Sequence, residues 1–324
     1  MIEIVALSDA MREVIRLALR VASTDANTLI TGESGAGKDA LALFVHAHSA
    51  RKDGALVKID CAALPSDLLE AELFGYERGA FTGATEARPG RLEAAHNGTV
   101  VLDEVAHLSV DAQAKLLRVI EEREFERLGG RRTIKVDARL VALTNVDLDE
   151  AVKRRSFRED LFYRLNVMRL HVPPLRERRE DIEKLARSFL KTYAVKHGRP
   201  VTGITPETLA ILKAYEFPGN VRELSNTIER AVIVAGSSKI EVADLPEALR
   251  VSVLIGERAS RRRSLAEVEA EYIGETLEAV GGNKSEAARL LGISRKNLYE
   301  RLARYGIVVG GRWSVASKKL DKEH

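Results

Sequence analysis

The sequence predicts an α/β fold on a parallel sheet, continued by helical regions. Three observations carry this. Short β-branched runs alternate with helical patterns through the first half of the chain. The β signal stops at Val172-Pro173-Pro174, because prolines cannot donate to a sheet ladder. Helical patterns then fill 179–249 and return from Ser264. Strands alternating with helices put helices on both faces of a parallel sheet.

Taken in order, the strand candidates are 28–31, 55–60, 99–102, 139–144 and 168–172, with helical patterns between them at 40–49 and 111–122. Thr205-Pro206-Glu207 starts a helix, with Thr as N-cap, Pro at the first position and an acid in the first turn. Phe217-Pro218-Gly219-Asn220 separates that helix from the next. Arg258 and Arg261-Arg262-Arg263 mark a basic linker. Ser264-Leu265-Ala266-Glu267 has the form of a capping box. It opens an amphipathic helix with Val268, Tyr272, Ile273, Leu277 and Val280 on one face, ended by Gly281-Gly282. The predicted boundaries are 1–172 for the α/β region, 173–250 for a helical region, 251–263 for the linker, 264–309 for a small helical domain and 310–324 for a polar tail.

Composition narrows the function classes. The net charge is only +3, so any nucleic-acid contact must come from a local patch. The single cysteine, Cys61, excludes an intrachain disulfide and reads as a buried thiol. The N-terminus lacks a signal-peptide pattern, and no run approaches the roughly 18–20 apolar residues of a membrane span. A cytoplasmic protein with no membrane contact is expected.

Gly32-Glu33-Ser34-Gly35-Ala36-Gly37-Lys38-Asp39 follows the first strand and opens a helix. Its backbone N–H groups can wrap a phosphate where the helix dipole favours anions, and Lys38 can reach the β/γ-phosphates of a nucleotide. Asp39 stands where a phosphate loop usually carries Ser or Thr. Val100-Val101-Leu102 ends in Asp103-Glu104. Asp103 suits a magnesium ion, and Glu104 suits the orientation or deprotonation of an attacking water. Thr144-Asn145 ends a later strand, as a γ-phosphate sensor or as a plain turn. Arg158 and Arg164 lie six residues apart in FREDLFYR; one can act across a subunit boundary as an arginine finger, or both can pair with neighbouring carboxylates. Gly79-Ala80-Phe81-Thr82-Gly83-Ala84 holds no base, nucleophile or metal ligand. It can present one aromatic side chain on a permissive backbone, which reads as a mechanical contact driven by the ATPase around it.

GESGAGKD, ELFGYERGAFTGA, TVVLDE, FREDLFYRLNV and FPGNVREL together resemble the AAA+ ATPase domain of bacterial enhancer-binding proteins, the activators of sigma-54 RNA polymerase. The resemblance covers about residues 5–250. It implies a P-loop NTPase with a five-stranded parallel sheet, an α-helical lid, and a ring, usually a hexamer, with ATP between subunits. It implies phosphate binding by Lys38, magnesium and water at Asp103 and Glu104, a first sensor at Asn145, a trans-acting pair at Arg158 and Arg164, and a second sensor at Arg222. It implies sigma-factor contact by Phe81 and Thr82, and a second loop at 124–133 that moves with the first. Some positions depart from the common pattern: Ala36 for Thr, Asp39 for Glu, Phe217 for Trp, and Asp60 where an Asn often restrains the catalytic Glu. An ionised Asp60 accepts hydrogen bonds but cannot donate them. No receiver or ligand-binding domain is visible before residue 5. Constitutive activity, control by a separate regulatory protein, or control by a part outside this chain are the expectations.

Residues 283–306 carry Ala287, Leu290 and Leu291 on one face, a turn at Gly292, and a second helix capped by Ser294 with Leu298 and Leu302 inward. This is helix-turn-helix spacing. Lys284, Arg289, Arg295, Lys296, Arg301 and Arg304 are opposed only by Glu286 and Glu300. Arg295, Lys296, Asn297, Tyr299 and Arg301 avoid the apolar face and are the candidates to meet double-stranded DNA; a small docking domain with a solvated basic face is the other reading. The segment resembles the Fis-type domain usually joined to this ATPase, and the preceding helix is the expected dimer element, so that a hexamer would assemble from dimers. Competing classes are a repressor whose ATPase fold only sets oligomeric state, and a AAA+ unfoldase or helicase loader. Intact GAFTGA and acidic motifs argue against the first, and GAFTGA with a terminal helix-turn-helix against the second.

Overall fold

A computed structural model describes residues 4–250 and 265–307. The predicted linker, Ser264 with its capping box, and the tail at 310–324 lie outside the described residues. The chain divides into two compact units, Met1–Val253 and Leu254–His324.

The first unit is built on strands β1 (Thr28–Thr31), β2 (Leu56–Asp60), β5 (Thr99–Asp103), β8 (Arg139–Thr144) and β9 (Met168–His171). They form one parallel sheet in the order β2-β5-β8-β1-β9. Period-two alternation sorts their side chains onto two faces. Leu29, Val100, Leu102, Leu140 and Ala142 enter one core with Leu69, Leu73 and Phe74 of α3 (Ser66–Phe74), Leu116 of α5 (Val110–Glu122) and Leu161 of α7 (Glu159–Leu165). Ile30, Val101, Val141, Leu143 and Leu170 enter the other with Ala18 of α1 (Asp9–Ala22) and Leu41 of α2 (Lys38–Ala47). Helix α2 begins at Lys38, two residues before the expected start, because the phosphate loop leads straight into it. Two short antiparallel pairs stand outside the sheet: β3 (Gly75–Tyr76) with β4 (Arg88–Pro89), and β6 (Glu124–Glu126) with β7 (Thr133–Lys135).

The lid packs α8 (Arg179–Lys196), α9 (Pro206–Ala214) and α10 (Asn220–Val234) around Ile182, Leu190, Leu212, Phe217, Leu224 and Ile228. Thr205 caps α9 through its side chain, with Pro206 at the helix start. The region is not wholly helical, contrary to the expectation from sequence. Two-residue strands β10 (Gly203–Ile204) and β11 (Lys239–Ile240) pair in parallel beside it; runs that short carry no readable period.

The second unit packs α11 (Leu265–Ala279), α12 (Lys284–Leu290) and α13 (Arg295–Tyr305) around Ile273, Leu277, Ala287, Ala288, Leu298 and Leu302. Asn283 and Ser294 cap the last two helices through their side chains, and Gly292 takes a positive φ in the turn between them. The single apolar face expected on α11 divides in two. Ile273 and Leu277 are buried, whereas Val268 and Tyr272 are exposed. At about 100° per residue, Leu265, Val268 and Tyr272 lie on a neighbouring stripe that the short helices do not reach. No helix among the described residues is long and apolar enough to cross a membrane.

Candidate functional site

The sequence-predicted nucleotide residues meet at the carboxyl ends of β1, β5 and β8, where α/β sheets place their ligand crevice. Lys38 is only 7% exposed. Its ammonium donates to the carbonyls of Gly32 at 2.9 Å and Glu33 at 3.3 Å, and lies 3.7 Å from Glu104. Glu104 adopts a left-handed φ of 53°, uncommon for a residue with a side chain and frequent at functional sites. Its carboxylate accepts a 3.2 Å bond from the backbone N–H of Asn145. Asn145 therefore meets Glu104 through its main chain. Asp60 pairs in register with Asp103, but its carboxylate accepts from the N–H of Ala62 at 2.9 Å.

Lys58 on β2 joins the two acidic positions of the site. Its ammonium reaches Asp39 at 2.5 Å and Asp103 at 2.8 Å, so a cation already spans these carboxylates. Among the described residues no group of three or more His, Cys, Asp or Glu side chains forms a metal cage. Two carboxylates beside a phosphate loop fit magnesium, which keeps waters and phosphate oxygens as its other ligands. Gly37, Lys38, Asp39, Asp103, Glu104 and Arg222 line a cavity of about 470 Å³.

The phosphate loop is also bound to the lid. Glu33 does not face the cavity. Arg176 grips its carboxylate with two bonds of 2.8 and 2.6 Å, and the Asn220 amide adds a third at 3.0 Å. Arg176 first, then Asn220, pull the Glu33 pKa down to about 2. Arg222 reaches the Ser34 hydroxyl at 3.0 Å. Buried Arg178 donates to the Ala36 carbonyl. Cys61 is buried as expected, and desolvation pushes its thiol up to about 12.

The hexapeptide 79–84 forms the tip of the excursion between β3 and β4. Gly79 donates to the Ala84 carbonyl at 2.9 Å. Gly79 and Gly83 both take positive φ, at 83° and 105°, which a side chain would strain. Phe81 is 41% exposed and packs edge-on against Tyr76, ring centres 5.0 Å apart; Thr82 is exposed. The β6–β7 hairpin is fastened alongside. Glu77 donates to the Leu128 carbonyl at 3.0 Å and Leu128 to the Gly75 carbonyl at 2.9 Å. Arg127 then bridges Glu77 at 3.0 Å and Glu93 at 2.8 Å.

Arg158 and Arg164 sit at opposite ends of α7. Arg158 pairs with Asp160 at 2.7 Å and Arg164 with Glu121 at 2.8 Å, so within one chain neither is drawn to the cavity. In the second unit Arg295, Lys296 and Tyr299 are exposed on α13. Lys284 lies 5.0 Å from the Tyr299 ring centre. Arg301 departs from the expectation of a free cation: it is half-buried, pairs with Glu269 on α11 and donates to Asn297 at 3.0 Å.

The sigma-54 interaction domain family matches residues 4–171, the AAA+ ATPase lid domain 176–261, and the Fis family of bacterial regulatory proteins 264–305. The regulatory protein AtoC of Escherichia coli K12 is 47% identical over 309 residues, which cover 93% of this chain and 67% of AtoC. The chain belongs to the sigma-54-interacting AAA+ ATPases. The transcriptional regulatory protein ZraR of Salmonella typhimurium is 48% identical over 297 residues, covering 92% of this chain and 67% of ZraR. Crystal structures of NtrX from Brucella abortus in complex with ATP and with ADP have TM-scores of 0.72 and 0.71 at 35% and 34% identity, each covering 94% of this chain and 70% of NtrX. As a member of this family the chain is an ATPase and a sigma-54-dependent transcriptional activator with a DNA-binding helix-turn-helix.

Within this family frame, sequence reading missed Lys58, Arg127, Arg176 and Asn220. Each acts through a partner distant in sequence. Asn220 alone carried a local signal, in the FPGN turn.

Proposed function

We propose that this activator binds ATP and magnesium in the cavity of loop 32–39 and uses hydrolysis to drive loop 79–84 against sigma-54 in a closed promoter complex. NtrX, similar along most of this chain, has been solved with ATP and with ADP, which supports the nucleotide. Lys38 binds the phosphates, Asp103 holds the magnesium, Asp39 borders it, and Arg222 and Asn145 report the nucleotide state. A magnesium ion held there would supply neutralisation of the phosphate charge. Glu104 orients a water and accepts its proton as the oxygen bonds to the γ-phosphorus and the bond to ADP breaks. Arg158 and Arg164 exchange their own-chain carboxylates for the phosphates of a neighbouring subunit in a ring, a hexamer built from dimers. Arg295, Lys296 and Tyr299, which are exposed, form with Asn297 the face that meets enhancer DNA; Arg301, paired with Glu269, would join it only by leaving that partner.

The observation that carries this reading is the tip itself. It holds an exposed Phe81 and Thr82, has no chemical group of its own, and lies in the chain between Lys38 and Asp103. The stem continues α3, whose Leu73 and Phe74 share a core with Leu102 beside Asp103. The test is open-complex formation with sigma-54 polymerase on a cognate enhancer. Wild type should open promoters only with hydrolysable ATP. Thr82→Ala should keep ATPase activity within about twofold, as expected for a site distant from the chemistry, and lose opening. Glu104→Ala should bind ATP without turning it over. Wild type that opens no promoter with ATP present would sink the reading.

A further inference from the structure

The carbonyl of Gly35 accepts the N–H groups of Val221 at 3.0 Å and Arg222 at 3.3 Å. These are among the first donors of lid helix α10, which no helix can satisfy internally. Gly219 at the N-cap has no side chain to serve them. The phosphate loop itself therefore caps the lid helix. The approach requires glycine: a Cβ on Gly35 would lie 2.4 Å from the Gly219 carbonyl oxygen and 3.0 Å from the Arg222 Cβ.

Asn220 locks this joint. It is 0% exposed and holds a positive φ of 54°. Its Nδ2 donates to Glu33 at 3.0 Å and to the Ser34 carbonyl at 3.1 Å, and its Oδ1 accepts from the N–H of Leu175 at 2.8 Å. The amide orientation is fixed by its surroundings. A flipped amide would turn its oxygen onto a carboxylate and a carbonyl, and its NH₂ onto an N–H. One side chain thus joins the phosphate loop, the chain leading into the lid, and the lid helix two residues before Arg222.

We infer that Asn220 is a positioning residue that couples the phosphate-binding conformation of loop 32–38 to the N-terminus of α10, so that nucleotide binding and the placement of Arg222 are one event. This rests on the nucleotide-site reading above and adds to it the route by which the lid senses the loop. Arg222 faces the cavity; Asn220 does not, and it acts through Ser34 and Glu33.

Asn220→Asp is the discriminating variant. It has nearly the same shape and keeps the acceptor for Leu175, but turns the donor face into an anion facing the Glu33 carboxylate. Pairing it with Glu33→Gln restores one donor and one acceptor with their polarity reversed. The assay is titration of the full chain with a fluorescent ATP analogue, together with melting in its absence. Asn220→Asp should weaken binding by about tenfold, the scale of a broken charge-assisted bond facing an unpaired acceptor, and the double variant should recover most of that loss. Binding by Asn220→Asp within about twofold of wild type, or a double variant as weak as the single, overturns the coupling. Melting without nucleotide separates the two causes: a defect confined to stability would lower the melting temperature of Asn220→Asp and leave the affinity of the folded protein unchanged. Should Asn220→Asp fail to fold, hydrogen exchange on wild type decides: saturating analogue should slow the Val221 and Arg222 amides, and unchanged exchange overturns the inference. Wild type that fails to bind the analogue would instead overturn the nucleotide reading.

Discussion

Glu33 changes meaning most between sequence and structure. In the string GESGAGKD it stands among phosphate-binding residues. In the fold its carboxylate belongs to Arg176 and Asn220, which hold its pKa at about 2, below the ordinary 4.5. A carboxylate with a depressed folded-state pKa adds stability that is fully present above its unfolded pKa and is lost as pH falls toward the folded value. The advantage of wild type over Glu33→Gln should therefore be constant above about pH 5.5 and shrink as pH falls from about 4.5 toward about 2. Melting temperatures of both proteins across that range check it; a difference that grows on acidification would contradict the assignment. The side chain is substantially exposed, so the effect should be modest. Lys38, Asp103 and Glu104 were legible because glycine spacing and an apolar strand ending in acids are local signals. Lys58 was not, because its role comes from β2 pairing with β5, a relation no spacing records.

The five sheet strands and helices α2, α5 and α11 were readable to within two residues, since hydrophobic periodicity and caps are local, whereas α1, α3 and α7 were not singled out. The pairs β3–β4, β6–β7 and β10–β11 were not, because two or three residues have no period and their partners are remote. The first two of these pairs are nevertheless what fasten the hexapeptide loop to the β6–β7 hairpin. Arg127 forms the main charged tie, bonding Glu93 through Nε and Nη2 at 2.9 and 2.8 Å and Glu77 through Nη1 at 3.0 Å. Removing it frees two partly buried carboxylates and loosens both loops together, while Lys38 and Glu104 keep their own contacts. Arg127→Ala should lower open-complex formation by about tenfold, the cost of unpairing hydrogen-bonded charges, while ATP turnover in the absence of sigma-54 stays within about twofold. Equal loss of both would place Arg127 in the ATPase machinery instead. The second unit offers a parallel case: α11 was placed from its period, but only packing revealed that its apolar residues serve two stripes, one buried and one exposed.

On the scale of the whole molecule, the arginines are the test of assembly. Arg158 and Arg164 are each satisfied within the chain by a carboxylate, and neither lines the cavity beside its own phosphate loop. Such exposed pairs are weak, on the order of 0–1 kcal/mol, so a neighbour's phosphates can displace the carboxylates. If the arginines act across a subunit boundary, a catalytic centre is assembled from Lys38, Asp103 and Glu104 of one protomer and an arginine of the next. Two inactive variants then complement each other. Lys38→Ala has a defective phosphate loop and intact arginines; Arg164→Ala has the reverse. Each alone should retain under about a hundredth of wild-type turnover, given the 10³–10⁵ scale of arginine-finger effects. Mixed in equal amounts, they form some boundaries that join an intact loop to an intact arginine. With random mixing, about a quarter of boundaries carry that combination, so turnover should rise well above either parent and follow the mixing ratio with a maximum near equality. Arginines acting within their own chain predict no recovery at any ratio, because neither protomer then holds a complete site. Measuring turnover across the mixing series separates the two arrangements without altering any residue beyond the two already changed.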